Sequence, residues 1–90
     1  MFFVYVISSK IRSYIYVGLT QNVDVRVSQH NHGKEKTTKP YQPFDLILVE
    51  HYSTRAEARK REKQLKSGSG KEWLKKRVWP LKLMPGWRNW

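Results

Sequence analysis

Residues 2–20 read FFVYVISSKIRSYIYVGLT, and this stretch decides the fold. Residues 2–8 and 14–19 are rich in aromatic and β-branched side chains, which favour β-strands. The polar residues 9–12 separate the two runs. Two such runs joined by a short polar segment predict a β-hairpin with a four-residue turn at residues 9–12.

The predicted turn sets a register that brings two tyrosines together. Counted inward from residues 9–12, Tyr5 lies opposite Tyr16 and Phe3 lies opposite Gly18, all on one face of the sheet. Gly18 would leave an open patch that a ligand or another backbone can approach. The two phenols are either a cross-strand pair that simply packs or part of a site, and the hairpin alone leaves both interpretations open.

Turn and capping signals predict a helix, a loop and a strand after the hairpin. Asn22 is a suitable N-cap and Gly33 a suitable stop for a first helix, within which apolar residues recur at helical spacing. Residues 33–43 are polar and basic and contain two prolines, which predicts an exposed loop. Residues 44–52 alternate between apolar and polar side chains, as expected of a third strand.

Two capping boxes predict two more helices. The box at residues 54–57 opens a second helix, and the box at residues 69–72 opens a third helix that Pro80 must end. Trp73 is expected to pack into the core beside Leu74. The predicted order of elements is therefore ββαβαα.

The composition limits the chain to one domain and a short range of partners. Ninety residues suit a single core. Cysteine is absent, which excludes disulfides and thiolate metal sites and suits the cytoplasm, where we expect the protein. No apolar run approaches the roughly 20 residues that cross a bilayer, so we expect no membrane partner. Eighteen Lys and Arg against seven Asp and Glu give a formal net charge of +11, for which nucleic acid is the expected partner and a generic basic surface is the alternative.

Three side chains on the predicted helices are candidates for chemistry. Arg26 and His30 are four residues apart and share one face of the first helix, where an arginine can clamp a phosphate and a histidine can assist proton transfer. An ordinary amphipathic boundary is the alternative. Glu62 lies on the inward stripe of the second helix between small and apolar neighbours. A structural ion pair explains this position, and so does a site in which one carboxylate, waters and a substrate phosphate hold Mg²⁺.

Four segments, taken in order, carry a family resemblance. Residues 3–5 read FVY, residues 16–18 read YVG, residues 26–33 read RVSQHNHG and residues 58–66 read ARKREKQLK. They resemble the GIY-YIG endonuclease superfamily, and in particular its small stand-alone bacterial members. FVY and YVG stand where the family has GIY and YIG, and the other two segments are similar to its two helical motifs. The first glycine of GIY is a phenylalanine here, and the asparagine that many members carry after the metal ligand has no counterpart between residues 66 and 77.

The resemblance implies a fold, an activity and a set of site residues. The implied fold is α+β, with a three-stranded antiparallel sheet flanked by helices. The implied activity is a metal-dependent endonuclease that hydrolyses DNA by water attack, in DNA repair or recombination. Tyr5, Tyr16, Arg26 and His30 match the catalytic positions, and Glu62 matches the ligand of a single Mg²⁺ or Mn²⁺ ion. Because the asparagine is missing, a non-catalytic nucleic-acid-binding module of the same fold is the alternative.

Basic and aromatic residues outside this site are expected to hold the nucleic acid. The expected contacts are Gly18, Lys34, Lys36, Lys39, Tyr41, Arg59 and Lys63. Branched or damaged DNA is a suitable partner, while RNA and the oligomeric state stay open. We expect a nuclease domain at residues 1–78 and a Trp-rich tail at residues 79–90 that packs on it.

Overall fold

A computed structural model describes residues 1–78 as a three-stranded antiparallel sheet flanked by helices. The elements are β1 (Phe2–Ser9), β2 (Ile15–Thr20), α1 (Val23–Asn31), a 3₁₀ turn (Lys39–Tyr41), β3 (Phe44–Tyr52), α2 (Arg55–Lys66) and α3 (Gly68–Val78). This confirms the predicted ββαβαα order and the α+β class. Within the described part of the chain, no helix has the length and apolar character needed to cross a membrane.

The sheet is built around β1, which pairs antiparallel with β2 on one side and β3 on the other. The hairpin of β1 and β2 confirms the predicted elements, but the predicted register is wrong by two residues. Tyr5 pairs with Gly18, and Ile7 pairs with Tyr16. Because the shift is an even number of residues, Tyr5 and Tyr16 still face the same side of the sheet.

Ser9 explains why the turn lies further along the chain than predicted. Its amide donates to the carbonyl of Tyr14 at 2.9 Å, which makes Ser9 the last paired residue of β1. Its hydroxyl oxygen accepts from the amides of Ile11 and Arg12, at 3.2 and 3.1 Å, and donates to the carbonyl of Tyr41 at 2.6 Å. A serine that satisfies the turn amides in this way competes with the simple strand pattern.

The helix starts of α1 and α2 follow their capping signals. The Asn22 side chain accepts the amide of Val25 at 3.2 Å, and Gly33 follows the helix with a φ of 71°, a conformation that favours glycine. The capping box before α2 is also formed, since the Thr54 hydroxyl oxygen accepts the amide of Glu57 at 3.2 Å. Local capping chemistry therefore fixes both boundaries.

The predicted start of α3 is wrong. The helix begins at Gly68, where Ser67 ends α2 and its hydroxyl oxygen accepts the amide of Gly70 at 3.2 Å. Gly70 lets the two helices approach closely, because a Cβ there would collide with the carbonyl oxygen of Gln64. The predicted stop at Pro80 and the Trp-rich tail lie outside the described residues.

The two faces of the sheet bury different kinds of side chain. On the face under α2 and α3, the fully buried residues are aliphatic: Val4, Val6, Val17, Ala58, Leu65 and Leu74. On the face under α1, Tyr5, Ile7 and Phe44 are buried, with Tyr14, Tyr16, Val23, Val27 and Tyr41 packed against them. The polar side chains of His30 and Thr38 are also fully buried. The α1 face therefore buries a group of mutually hydrogen-bonded side chains beside its apolar ones.

The expectation for Trp73 is wrong in one respect. Leu74 is fully buried, but Trp73 is 41 % exposed. The indole lies against the guanidinium groups of Arg61 and Arg77, at 5.2 and 5.3 Å from the ring centre. Leucine and tryptophan are neighbours on a helix and so face directions about 100° apart, and the core takes only one of them.

Candidate active site

Tyr5 lies at the centre of a polar cluster on the α1 face. It occupies the middle strand and is only 1 % exposed. Its paired residue, Gly18, gives the phenol ring its space, because a Cβ at position 18 would collide with the end of the Tyr5 ring. The expected open patch at Gly18 is therefore wrong, since the Tyr5 ring fills it.

A chain of hydrogen bonds runs from Tyr5 into helix α1 and the loop that follows it. The Tyr5 hydroxyl lies 2.8 Å from Nε2 of His30, and Nδ1 of His30 lies 2.7 Å from the hydroxyl of Thr38. The Thr38 hydroxyl donates its proton to the carbonyl of Glu35 at 3.4 Å. Its oxygen therefore accepts from Nδ1–H of a neutral His30, and Nε2 accepts from the Tyr5 hydroxyl.

The surroundings keep both titratable side chains of this hydrogen-bonded series, Tyr5 and His30, in their neutral forms. Burial lowers the pKa of His30, and the charge of Arg26 lowers it further. Burial also raises the pKa of the Tyr5 phenol, the neighbouring Tyr16 acts in the same direction, and Arg26 opposes the shift. Tyr5 therefore stays protonated and donates to His30.

Arg26 borders this cluster and is held by two side chains. One terminal nitrogen donates to Oε1 of Gln29 at 2.9 Å, and the other donates to Oε2 of Glu35 at 2.8 Å. Burial opposes the charge on Arg26, but the hydrogen bond and charge of Glu35, together with Tyr5, outweigh it and raise the pKa of Arg26. Arg26 and His30 thus meet at Tyr5, although the structure buries His30 fully instead of leaving it at the border.

Tyr16 connects this cluster to helix α2. Its ring centre lies 4.9 Å from that of His30 and 6.3 Å from that of Tyr5. On the other side, the ammonium group of Lys66 lies 6.0 Å from the Tyr16 ring and 3.3 Å from Oε2 of Glu62. Tyr16 is only partly buried. It is therefore the more accessible of the two matching tyrosines.

Glu62 is buried at 7 % exposure and has two cationic partners. Arg59 approaches one carboxylate oxygen at 3.5 Å, and Lys66 approaches the other at 3.3 Å. The side chains of both cations are more than half exposed, at 59 % and 51 %. Because both cations are so exposed, their side chains can turn towards solvent when another cation approaches the carboxylate.

The donor set fits a hard divalent ion held by one carboxylate. Among residues 1–78, no group of three or more His, Cys, Asp or Glu side chains converges, which argues against a metal cage built by the protein alone. Mg²⁺ is commonly bound by one or two carboxylates together with waters and substrate phosphates. Glu62 is the buried carboxylate beside Tyr16 and Lys66 that suits this mode.

The residues expected to hold nucleic acid differ in their placement. Lys34, Lys36 and Lys39 are exposed on the segment that carries Glu35 and Thr38. The exposed-loop prediction for residues 33–43 is only partly right, since Thr38 is fully buried.

Tyr41 and the basic residues of α2 complete that group. The ring of Tyr41, one of the expected nucleic-acid contacts, stacks on Tyr14 with 3.8 Å between centres. Arg59 and Lys63 are exposed on α2, where Arg59 pairs with Glu62. These two basic side chains therefore remain available at the surface beside the candidate metal ligand.

Four residues of the site escaped the sequence analysis: Gln29, Glu35, Thr38 and Lys66. Two of them, Glu35 and Lys66, stand out in the sequence and could have been found from it. Glu35 is the only acidic residue in an otherwise basic loop, and Lys66 lies one helical turn after Glu62. Thr38 and Gln29 become visible only when the loop is folded against α1.

The cluster coincides with the motifs of a known family. Residues 1–77 match the family model described as the GIY-YIG catalytic domain. A UPF0213 protein of Staphylococcus haemolyticus is 39 % identical over 74 residues, which are 81 % of this chain and 89 % of that protein. UPF0213 proteins of Staphylococcus epidermidis and Staphylococcus aureus are also 39 % identical, the latter over 66 residues that cover 72 % of this chain and 79 % of the relative. The chain therefore belongs to the GIY-YIG family.

Proposed function

We propose that this protein is a metal-dependent endonuclease that hydrolyses phosphodiester bonds in DNA by water attack. The observation that carries the proposal is that Tyr5, Tyr16, Arg26 and His30 converge on one face, with Glu62 one contact away through Lys66. A generic basic surface explains the net charge of +11 but not this convergence of phenol, imidazole, guanidinium and carboxylate.

Tyr16 is the better candidate for accepting the proton of the attacking water. Tyr5 is almost fully buried and already donates to His30, so it cannot easily reach a water in a surface cleft. Tyr16 is partly exposed, and the Lys66 ammonium lies 6.0 Å from the centre of its ring, on the side towards Glu62. Tyr5 and His30 then act as positioning residues, because their hydrogen-bonded chain fixes the surface on which Tyr16 packs.

Arg26 is the proposed phosphate-binding residue. Its guanidinium already forms a charge-assisted hydrogen bond to a carboxylate, and a phosphate oxygen offers the same kind of acceptor. In the reaction, the water oxygen forms a bond to phosphorus, the bond from phosphorus to the leaving oxygen breaks, and Arg26 stabilises the charge on the non-bridging oxygens.

Glu62 is the proposed ligand of a single Mg²⁺ or Mn²⁺ ion. Such an ion, when bound, supplies positive charge at the phosphate and at the leaving oxygen. Arg59 and Lys66 must then release the carboxylate, and both are exposed enough to contact the nucleic acid instead. Lys34, Lys36, Lys39 and Lys63 are proposed to hold the phosphate backbone. The setting we propose is cytoplasmic DNA repair or recombination, with branched or damaged DNA as substrate.

The test compares Glu62→Gln with Glu57→Gln on the same helix. Cleavage of supercoiled plasmid and of branched DNA is measured with Mg²⁺, with Mn²⁺ and with chelator, and DNA binding is measured in parallel. Glu62→Gln should abolish cleavage and keep binding. Glu57→Gln removes the same charge from an exposed position whose capping role Gln can fill, and it should cleave normally. Normal cleavage by Glu62→Gln would refute the assignment of the metal ligand.

A second candidate function is a nucleic-acid-binding module without turnover. It is favoured by the ion pairs that neutralise Glu62 and by the lack of an asparagine between residues 66 and 77. Such a protein would bind DNA or RNA with steep salt dependence and give no metal-dependent products from any substrate. The same assay separates the two functions, because only a nuclease loses products when the metal is chelated.

A further inference from the structure

Glu35 occupies the position on Arg26 that the proposed function gives to a phosphate. Its carboxylate oxygen lies 2.8 Å from the guanidinium, and both side chains are about one third exposed. The remaining terminal nitrogen of Arg26 is held by Gln29. Arg26 therefore already has an anionic acceptor before any substrate binds, and an incoming phosphate meets a neutralised arginine.

The loop around Glu35 allows the carboxylate to leave without unfolding. Its main-chain carbonyl, and not its side chain, accepts the amides of Thr38 and Lys39 at 3.2 and 3.0 Å. The same carbonyl accepts the Thr38 hydroxyl that supports His30. A change of the Glu35 rotamer would break the contact to Arg26 and leave these three hydrogen bonds in place.

The lysines beside Glu35 can attract a nucleic-acid strand, and a phosphate of that strand can then displace the Glu35 carboxylate from Arg26. Lys34 and Lys36 flank it in sequence, and both are exposed. A single inorganic anion can use only one or two of these charges. A nucleic-acid strand places several phosphates near the loop at once, so its attraction to the lysines adds to the contact with Arg26.

We propose that Glu35 is a resident anion on Arg26 that weakens the binding of any phosphate there, so that only a polyanion with further contacts to Lys34 and Lys36 occupies the subsite. The inference rests on the proposed role of Arg26 as the phosphate-binding residue. A strand held by Lys34 and Lys36 displaces the carboxylate, whereas free phosphate competes with it poorly. Glu35 is thus a specificity-determining residue and not a catalytic one.

The test measures binding in chelator, so that no cleavage occurs, with inorganic phosphate and a short DNA duplex as separate probes. Glu35→Gln keeps the size of the side chain and removes its charge. Glu72→Gln is the matched control, because Glu72 also pairs with a basic residue, Lys75 at 3.4 Å, and lies far more exposed at 66 %. Nuclear magnetic resonance of the Arg26 side chain reports contact with phosphate directly.

Glu35→Gln should tighten inorganic phosphate binding about fivefold or more, the value of an ion pair near 1 kcal/mol, while Glu72→Gln changes it less than twofold. DNA binding should tighten by a similar factor, because the strand must also displace Glu35. DNA should nevertheless bind the wild type measurably at concentrations where free phosphate does not, since Lys34 and Lys36 add their attraction. Equal effects of the two substitutions would overturn the inference, and so would a Glu35→Gln gain that persists after Arg26→Gln.

The two proposals fail in different ways. Loss of the nuclease assignment would appear as absent or metal-independent cleavage, which this binding experiment does not measure. A phosphate gain that depends on Arg26 would then still support the resident-anion role of Glu35. An absent gain in a protein whose cleavage requires Glu62 would overturn the role of Glu35 alone.

Discussion

Helices cover both faces of the sheet, but the two faces bury different kinds of side chain. One face lies under α2 and α3, and the other lies under α1. The first buries Val4, Val6, Leu65 and Leu74, which need no hydrogen-bond partners. The second buries the polar groups of Tyr5, His30 and Thr38, which are paired with one another; an unsatisfied buried group would cost about 1–3 kcal/mol. One strand, β1, supplies both faces through its alternation. The aliphatic face therefore offers mainly packing, while the α1 face holds the hydrogen-bonded groups of the candidate site.

Glu62 lies where the two faces meet. It belongs to α2, yet its neighbour Lys66 reaches the ring of Tyr16 on β2, the strand at the edge of the sheet. If Glu62 binds the metal and Arg26 the phosphate, as we propose, this edge is where both can act on the same phosphate. β2 is the edge strand of the sheet, and Tyr16 on it is only partly buried.

The largest effect on stability is expected from the aliphatic face. Leu65→Ala should lower the free energy of unfolding by about 2–5 kcal/mol, because it removes a fully buried side chain and leaves a cavity. Leu46→Ala is the control, since Leu46 is 44 % exposed, and it should cost less than about 1 kcal/mol. Urea denaturation followed by circular dichroism measures both. Equal losses would show that the aliphatic face is not the main source of stability.

An intermediate effect is expected where the two strands of the hairpin touch the site. Gly18→Ala should cost about 1–3 kcal/mol, because the added methyl group forces the Tyr5 ring to move. It should also disturb the hydrogen bond between Tyr5 and His30 and reduce cleavage. Gly68→Ala adds a methyl group into open space and should leave both stability and cleavage nearly unchanged. A fully stable and active Gly18→Ala variant would contradict the close approach.

The smallest effect is expected from pH. Because burial lowers the pKa of His30 below its ordinary value of about 6.5, the unfolded chain binds a proton on this group more readily than the folded one. The contribution of neutral His30 to the free energy of unfolding should therefore be fully present above about pH 6.5. The free energy of unfolding should fall as the pH drops below that value. Denaturation between pH 5 and 8 measures the slope.

Two comparisons test whether His30 causes this dependence of stability on pH. Glu50, whose pKa is lowered mainly by the hydrogen bond from Arg61, loses its contribution only below about pH 4.5 and leaves this window unaffected. The slope attributed to His30 should disappear in His30→Gln. A slope that stays the same in the variant would show that other groups cause it.

Much of the fold follows from local signals. The Asn22 and Thr54 caps, the glycine after α1 and the strand patterns all act over a few residues, and the structure places them as predicted. The register of the hairpin and the start of α3 were wrong because Ser9 and Ser67 use their hydroxyls to cap the backbone. A period-two or capping-box pattern does not reveal that choice.

Only some members of the candidate site could be predicted from the sequence, and their connections could not. Motif positions identified Tyr5, His30 and Glu62 by type and spacing. The hydrogen bond from His30 to Thr38 and the contact between Arg26 and Glu35 join α1 to the loop that follows it, and they depend on how that loop folds back. Such contacts have no repeating signature in the sequence.

The most direct test of the account is the cleavage rate of Tyr16→Phe beside that of Tyr52→Phe. Each substitution removes one phenolic hydroxyl, and Tyr52 donates its own to Glu50 at 2.8 Å, away from the site. If the α1 face carries the chemistry, Tyr16→Phe should lower metal-dependent cleavage about 100-fold or more with little loss of stability, while Tyr52→Phe should cleave within about threefold of the wild type. Equal cleavage by both variants would contradict the account.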